Sequence, residues 1–169
     1  MRQFKTLLFT AILFVGVTSF SVAQSKVAHI NTEDLIAAMP EAKTAQAELD
    51  KLNKTYEAEI KSMVTEYQTK RQQYEAEAKT QTDEENEKRA VELQTIEQSI
   101  RQYQGEASQD LQKKQADLMK PIYDKAKGAI EKVAKALGFE YVLNAVDGSL
   151  VLVANGKDIL PEVKKELGI

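Results

Sequence analysis

The sequence predicts an α+β chain in which a long antiparallel helical hairpin projects from a small β-rich body built from both chain ends. Three observations carry this. From Pro40 to Lys120 the chain holds a single Gly, no internal Pro, and a dense mixture of Glu, Lys, Gln and Ala, all good helix formers. Apolar residues in this stretch recur with the helical period of about 3.6, in two stripes separated by a polar turn. The short aliphatic runs lie only outside it, at 27–30, 141–145 and 150–154.

In chain order, residues 1–23 read as a secretory signal. Arg2 and Lys5 make a positive start, Leu7 to Val17 is apolar apart from Thr10 and Gly16, and Ser21-Val22-Ala23 offers small residues for cleavage after Ala23. The apolar run is short for a bilayer span, which needs about 20 residues, so no stable membrane insertion is expected. Removing this segment leaves 146 residues. It also removes two of the 23 basic residues, so that 21 stand against 26 acidic ones, a net charge of −5.

The arm is expected over 40–120. Pro40 suits a first helical turn and Glu41 suits the positive end of the helix dipole. One stripe runs Ala42, Ala45, Leu49, Leu52, Tyr56, Ile60, Met63, Tyr67, Arg71, Tyr74, Ala78. The other runs Leu93, Ile96, Ile100, Tyr103, Ala107, Leu111, Lys114, Leu118, Ile122. Between them Thr82 and Glu85 form a capping box, which places the tip near 80–83. Folding the chain back there sets Leu52 against Leu111, Tyr56 against Ala107, Ile60 against Tyr103, Tyr67 against Ile96 and Tyr74 against Ala90, with Arg71 opposite Glu92. Each arm of about 40 residues spans roughly 60 Å.

The body is expected from 24–39 and 121–169. Val27–Ile30 reads as a strand, followed by a short helix capped by Thr32. Pro121 kinks or restarts the long helix, and Gly138 is placed to end it. Tyr141–Ala145 and Leu150–Ala154 flank Asp147-Gly148, a hairpin signal. Asp158 or Leu160 then caps a last helix with Pro161 near its start. Both runs of the hairpin are apolar on consecutive residues, so both sheet faces should be buried. One small subunit cannot cover them, which points to an oligomer.

Composition excludes much chemistry. Without Cys there are no disulfides, thiolate metal sites or thiol nucleophiles. The single His, His29, sits on a predicted strand and reads as structural. The acidic group Asp83, Glu84, Glu85 and Glu87 lacks calcium-loop spacing and reads as charge favoured at a helix N-terminus. No Gly-rich phosphate loop is present. No cofactor, metal or enzymatic activity is expected, and the acidic surface argues against nucleic acid.

The chain resembles the Skp family, also called OmpH, of periplasmic chaperones for outer-membrane proteins. The resemblance rests on the order of parts and on Lys26-Val27-Ala28-His29-Ile30-Asn31, Met39-Pro40-Glu41, Pro121-Ile122-Tyr123-Asp124-Lys125, Ala129-Ile130-Glu131-Lys132-Val133-Ala134-Lys135, Gly138-Phe139-Glu140-Tyr141-Val142-Leu143 and Asp158-Ile159. It implies a homotrimer whose β-rich body carries three helical arms around a cavity. In that cavity, unfolded outer-membrane β-barrel proteins are held without ATP. It also implies a periplasmic location. The best-known members are basic, whereas this chain is acidic. Client contact is expected at off-stripe or rim residues: Ala47, Ala58, Met63, Val64, Ala76 and Val91. Assembly is expected through Val27, Ile30, Val142, Leu143, Val151 and Leu152. The alternative is a coiled-coil spacer or adaptor of the cell envelope.

Overall fold

The computed structural model describes residues 26–169; the signal expected over 1–23 lies outside them. Strand β1 (Val27–Ile30) leads into helix α1 (Thr32–Ala38). The cap of α1 is Asn31, not Thr32: the Asn31 side chain accepts from the backbone N–H of Glu33 and Asp34, at 3.0 and 3.1 Å. The Thr32 hydroxyl instead donates to Asn144 Oδ1 at 3.0 Å, tying the first helix to the C-terminal half.

Met39 is extended, and helix α2 (Pro40–Glu77) begins directly after it with Pro at its first position, where a missing N–H costs nothing. A 3-10 turn (Ala78–Thr80) closes α2. Helix α3 (Asp83–Leu137) starts at Thr82, whose side chain accepts from Glu85 N–H at 3.2 Å. It runs 55 residues without interruption, straight through Pro121. Arm and body are therefore not separated by a restart at Pro121. The lost hydrogen bond to Asp117 and the crowding of the ring are absorbed within one continuous helix. Gly138 ends it in the left-handed region (φ 78°), its N–H returning to the carbonyls of Ala134 and Lys135. A side chain there would strain the backbone.

Strands β2 (Tyr141–Asn144) and β3 (Lys157–Asp158) and helix α4 (Leu160–Leu167) complete the chain. Helix α4 is preceded by Ile159 at its cap. Asp158 Oδ1 accepts from Leu160 N–H at 2.9 Å. The sheet has the order β2-β1-β3, and both pairings are parallel. This corrects the expected antiparallel hairpin. Gly148 does turn the chain (φ 79°), and Ser149 N–H donates to Val146 carbonyl at 3.0 Å. Beyond it, however, Leu150–Ala154 is irregular. β2 and β3 flank β1 and keep their outer edges unpaired, and this aliphatic run joins neither of them.

The core lies where α1, the roots of α2 and α3, the sheet and α4 meet. Ile30, Leu35, Met39, Ile159 and Val163 are fully buried, packed with Ala45, Ile122, Ala126, Ala129 and Val133. Each large aliphatic side chain there stabilises by about 1.5–3 kcal/mol. Ile30 thus faces the interior of its own chain and cannot be an assembly contact. The alternation along β1 puts Ala28 and Ile30 inward. Across the sheet, Tyr141 and Leu143 are 65% and 44% exposed, so the second face of β2 is open in the single chain rather than buried.

Candidate functional site

Two surfaces are candidates: the arm and the outward side of the body. On the arm, the stripes form the seam between α2 and α3. Ala45, Ile100 and Ala107 are buried in it, Ile122 is buried at its root, and the other stripe residues are half-buried. The exception is Arg71, which is exposed and pairs within its own helix with Glu75 at 3.6 Å. The ring edge of Tyr56 meets Tyr103 with centroids 6.0 Å apart.

The seam is unusually polar at its rims. Three of its tyrosines donate hydroxyl hydrogen bonds to carboxylates of the opposite helix: Tyr56 to Asp110 at 2.8 Å, Tyr74 to Glu92 at 2.6 Å, and Tyr103 to Glu59. Bonding to carboxylates raises the hydroxyl pKa of Tyr56 and Tyr74. Lys114 reaches Glu48 at 2.9 Å, and Lys125 reaches Glu41.

The polar contacts converge near the tip. Glu92 receives Lys70 at 2.5 Å as well as Tyr74. Lys70, then Tyr74, hold its carboxyl below the usual range. Arg89 lies over the Tyr74 ring, 4.6 Å from the centroid, and pairs with Glu77 at 2.8 Å and Glu85 at 3.4 Å. Hydrogen bonds from Gln73 and Arg89 lower the pKa of Glu77. In sequence this cluster reads as Arg71 opposite Glu92 and as the i,i+4 pair Glu85–Arg89, and the second of these forms. The actual partner of Glu92 is Lys70, one position away, whose long stem reaches the seam from its rim.

The six residues expected to meet clients do not form one patch. Ala47, Ala58, Ala76 and Val91 are exposed, and Met63 and Val64 are half-buried at the seam. Ala47 and Ala58 line shallow troughs along α2 with polar and charged neighbours such as Lys51, Lys54, Ser62 and Thr65. A more apolar groove of about 550 Å³ lies at the arm root between Ile36, Ala42, Met119, Tyr123 and Val146.

The body carries the larger exposed apolar groups. Leu150, Leu152 and Val153 are 101%, 93% and 72% exposed. Val27, Val142 and Val151 are half-buried. Of the expected assembly residues, Leu143 and Leu152 are therefore open to a partner and Ile30 is not. Among the described residues, no group of three or more His, Asp and Glu side chains is placed to hold a metal ion, and no helix is long and apolar enough to cross a membrane.

The family model described as "Outer membrane protein (OmpH-like)" matches residues 26–167. No curated protein matches the chain. Among solved structures, the fold is similar to a Caulobacter crescentus protein described as a candidate outer membrane chaperone (OmpH-like), determined at 2.83 Å. The TM-score is 0.73 over 86% of each chain, at 17% sequence identity.

Proposed function

The chain belongs to the OmpH-like family, and from that premise we propose that it is an ATP-independent periplasmic holdase that keeps unfolded outer-membrane β-barrel proteins apart in a cavity between helical arms. The observation that carries this reading is the division of its surface. Large exposed apolar side chains cluster on the body, at Tyr141, Leu143, Leu150, Leu152 and Val153, while the arm exposes mainly charged and small residues. Exposed large apolar side chains in this number are what an association site needs. Assembly through the body, as a homotrimer, leaves the arms free to surround a client.

The mature protein begins at Gln24 on this reading. Client contact is spread over Ala47, Ala58, Met63, Val64, Ala76 and Val91, each contributing weakly. No cofactor enters the mechanism, which consists of association and release rather than bond chemistry. Because the mature chain is acidic, protection should depend only modestly on salt, since surface attraction is screened within about 8–10 Å at physiological ionic strength and apolar contact is not.

The test is refolding of a denatured outer-membrane β-barrel, followed by light scattering with and without residues 24–169. Suppressed scattering, independent of nucleotide, is the expected result. A spacer or adaptor would leave scattering unchanged.

A further inference from the structure

An arm that holds apolar segments needs apolar surface, and the closed arm offers little. Among the described residues, Val91 is the exposed large apolar side chain of the arm; the others lie in the body, its loop or the C-terminus. The arm's remaining large apolar groups, including Tyr67, Tyr74, Leu93 and Ile96, are turned half-buried into the seam.

The seam is not uniform along its length. Of the buried seam residues, Ala45 and Ala107 lie towards the body and Ile100 at mid-arm. Beyond Ile100, towards the tip, no apolar side chain is fully buried. Closure there falls to the Glu92 cluster with Lys70, Tyr74 and Arg89. That cluster is a weak clasp. Glu92 and Lys70 are 41% and 32% exposed, and half-exposed ion pairs contribute little. Arg89 also keeps one nitrogen, Nη1, buried without a partner, which works against the closed state.

We infer that the distal hairpin opens and that its seam, chiefly Tyr67, Tyr74, Leu93 and Ile96, is a binding surface for apolar segments of unfolded chains, with Glu92 as the clasp. This rests on the holdase reading for its role, but the opening stands on the arm's own geometry. A client that binds only the open form shifts the population towards it, and the exposed rings and aliphatic groups replace contacts with each other by contacts with the client.

Two measurements on the full mature protein test this. By hydrogen exchange, amides at 67–97 should exchange faster than those at 45–60 and 103–118. Glu92→Gln should accelerate the distal set roughly two- to fivefold, the scale set by a half-exposed ion pair, and leave the proximal set unchanged. Uniform exchange along the arm, or no distal response to Glu92→Gln, overturns the opening. For the surface, the chain has no Cys, so Lys70→Cys with Glu92→Cys can be bridged by a short bismaleimide. The bridged protein should protect a refolding β-barrel far less than the same variant left unbridged, in which the clasp is gone and the hairpin is free to open. Full protection by the bridged protein refutes the seam as the binding surface. Failure of the wild-type protein to protect refutes the holdase reading, and the exchange pattern then still decides whether the hairpin opens.

Discussion

Glu92 accepts hydrogen bonds from both Lys70 and Tyr74, so its charge is stabilised in the folded arm and its pKa lies below the usual value. For a depressed carboxylate, the contribution to stability is present above the unfolded pKa and is lost as pH falls through the folded one. Thermal melts of wild type and Glu92→Gln should therefore differ at neutral pH and converge in acid, below the ordinary carboxylate range. At Gly138 the expectation is purely a backbone one. A Cβ there meets nothing within 4 Å, but φ is 78°, so Gly138→Ala should cost about 1–2 kcal/mol, read by denaturant unfolding. Residue-level reading of the sequence succeeded where a single chemical requirement decides the residue, as with Gly138 at a helix end and Thr82 at a helix start. It failed at Asn31 and Lys70. Asn31 and Thr32 are both competent caps, and only the position of Asn144 draws Thr32 away.

The arm was legible because its information is local. One helical period, one turn and two stripes suffice, and each stripe residue except Arg71 lies at the seam. The contact of Tyr56 with Tyr103 can be measured as an element property. The double-alanine cycle at these positions should give a coupling of about 0.5–1.5 kcal/mol, and additivity would mean the rings do not meet. Pro121 lies on the exposed side of an uninterrupted helix. Pro121→Ala restores a backbone donor and should raise stability, by up to about 3 kcal/mol, visible as a higher melting temperature. The strands were less legible because a strand is completed by a neighbour. Leu150–Ala154 has the composition of a strand yet pairs with neither outer edge of the sheet, whereas Lys157–Asp158 has little strand character and pairs with β1.

At the scale of the molecule, the proposed homotrimer would be held through the exposed Leu150 and Leu152. Sedimentation equilibrium of residues 24–169 should give three times the chain mass. Leu152→Asp should reduce it towards the single chain without unfolding the core, since that side chain touches little in its own subunit. The arm should be dispensable for assembly. Because Ala45 and Leu118 pack in the core, the replacement by a Gly/Ser linker belongs at 49–114; the shortened protein should sediment as the intact one does and fail to suppress scattering. The sheet order carries a further consequence, for the timing of folding. Its central strand is made from the first described residues, and both flanking strands come from the other end, with Lys26 and Glu140 in contact across 114 positions. The arm, whose contacts are nearer in sequence towards the tip, can close before the C-terminal segment takes part. The body cannot, because β1 gains its first partner only with Tyr141–Asn144 and its second only with Lys157–Asp158. The lever is therefore expected to form before its mount, with both edges of β1 open in the interval.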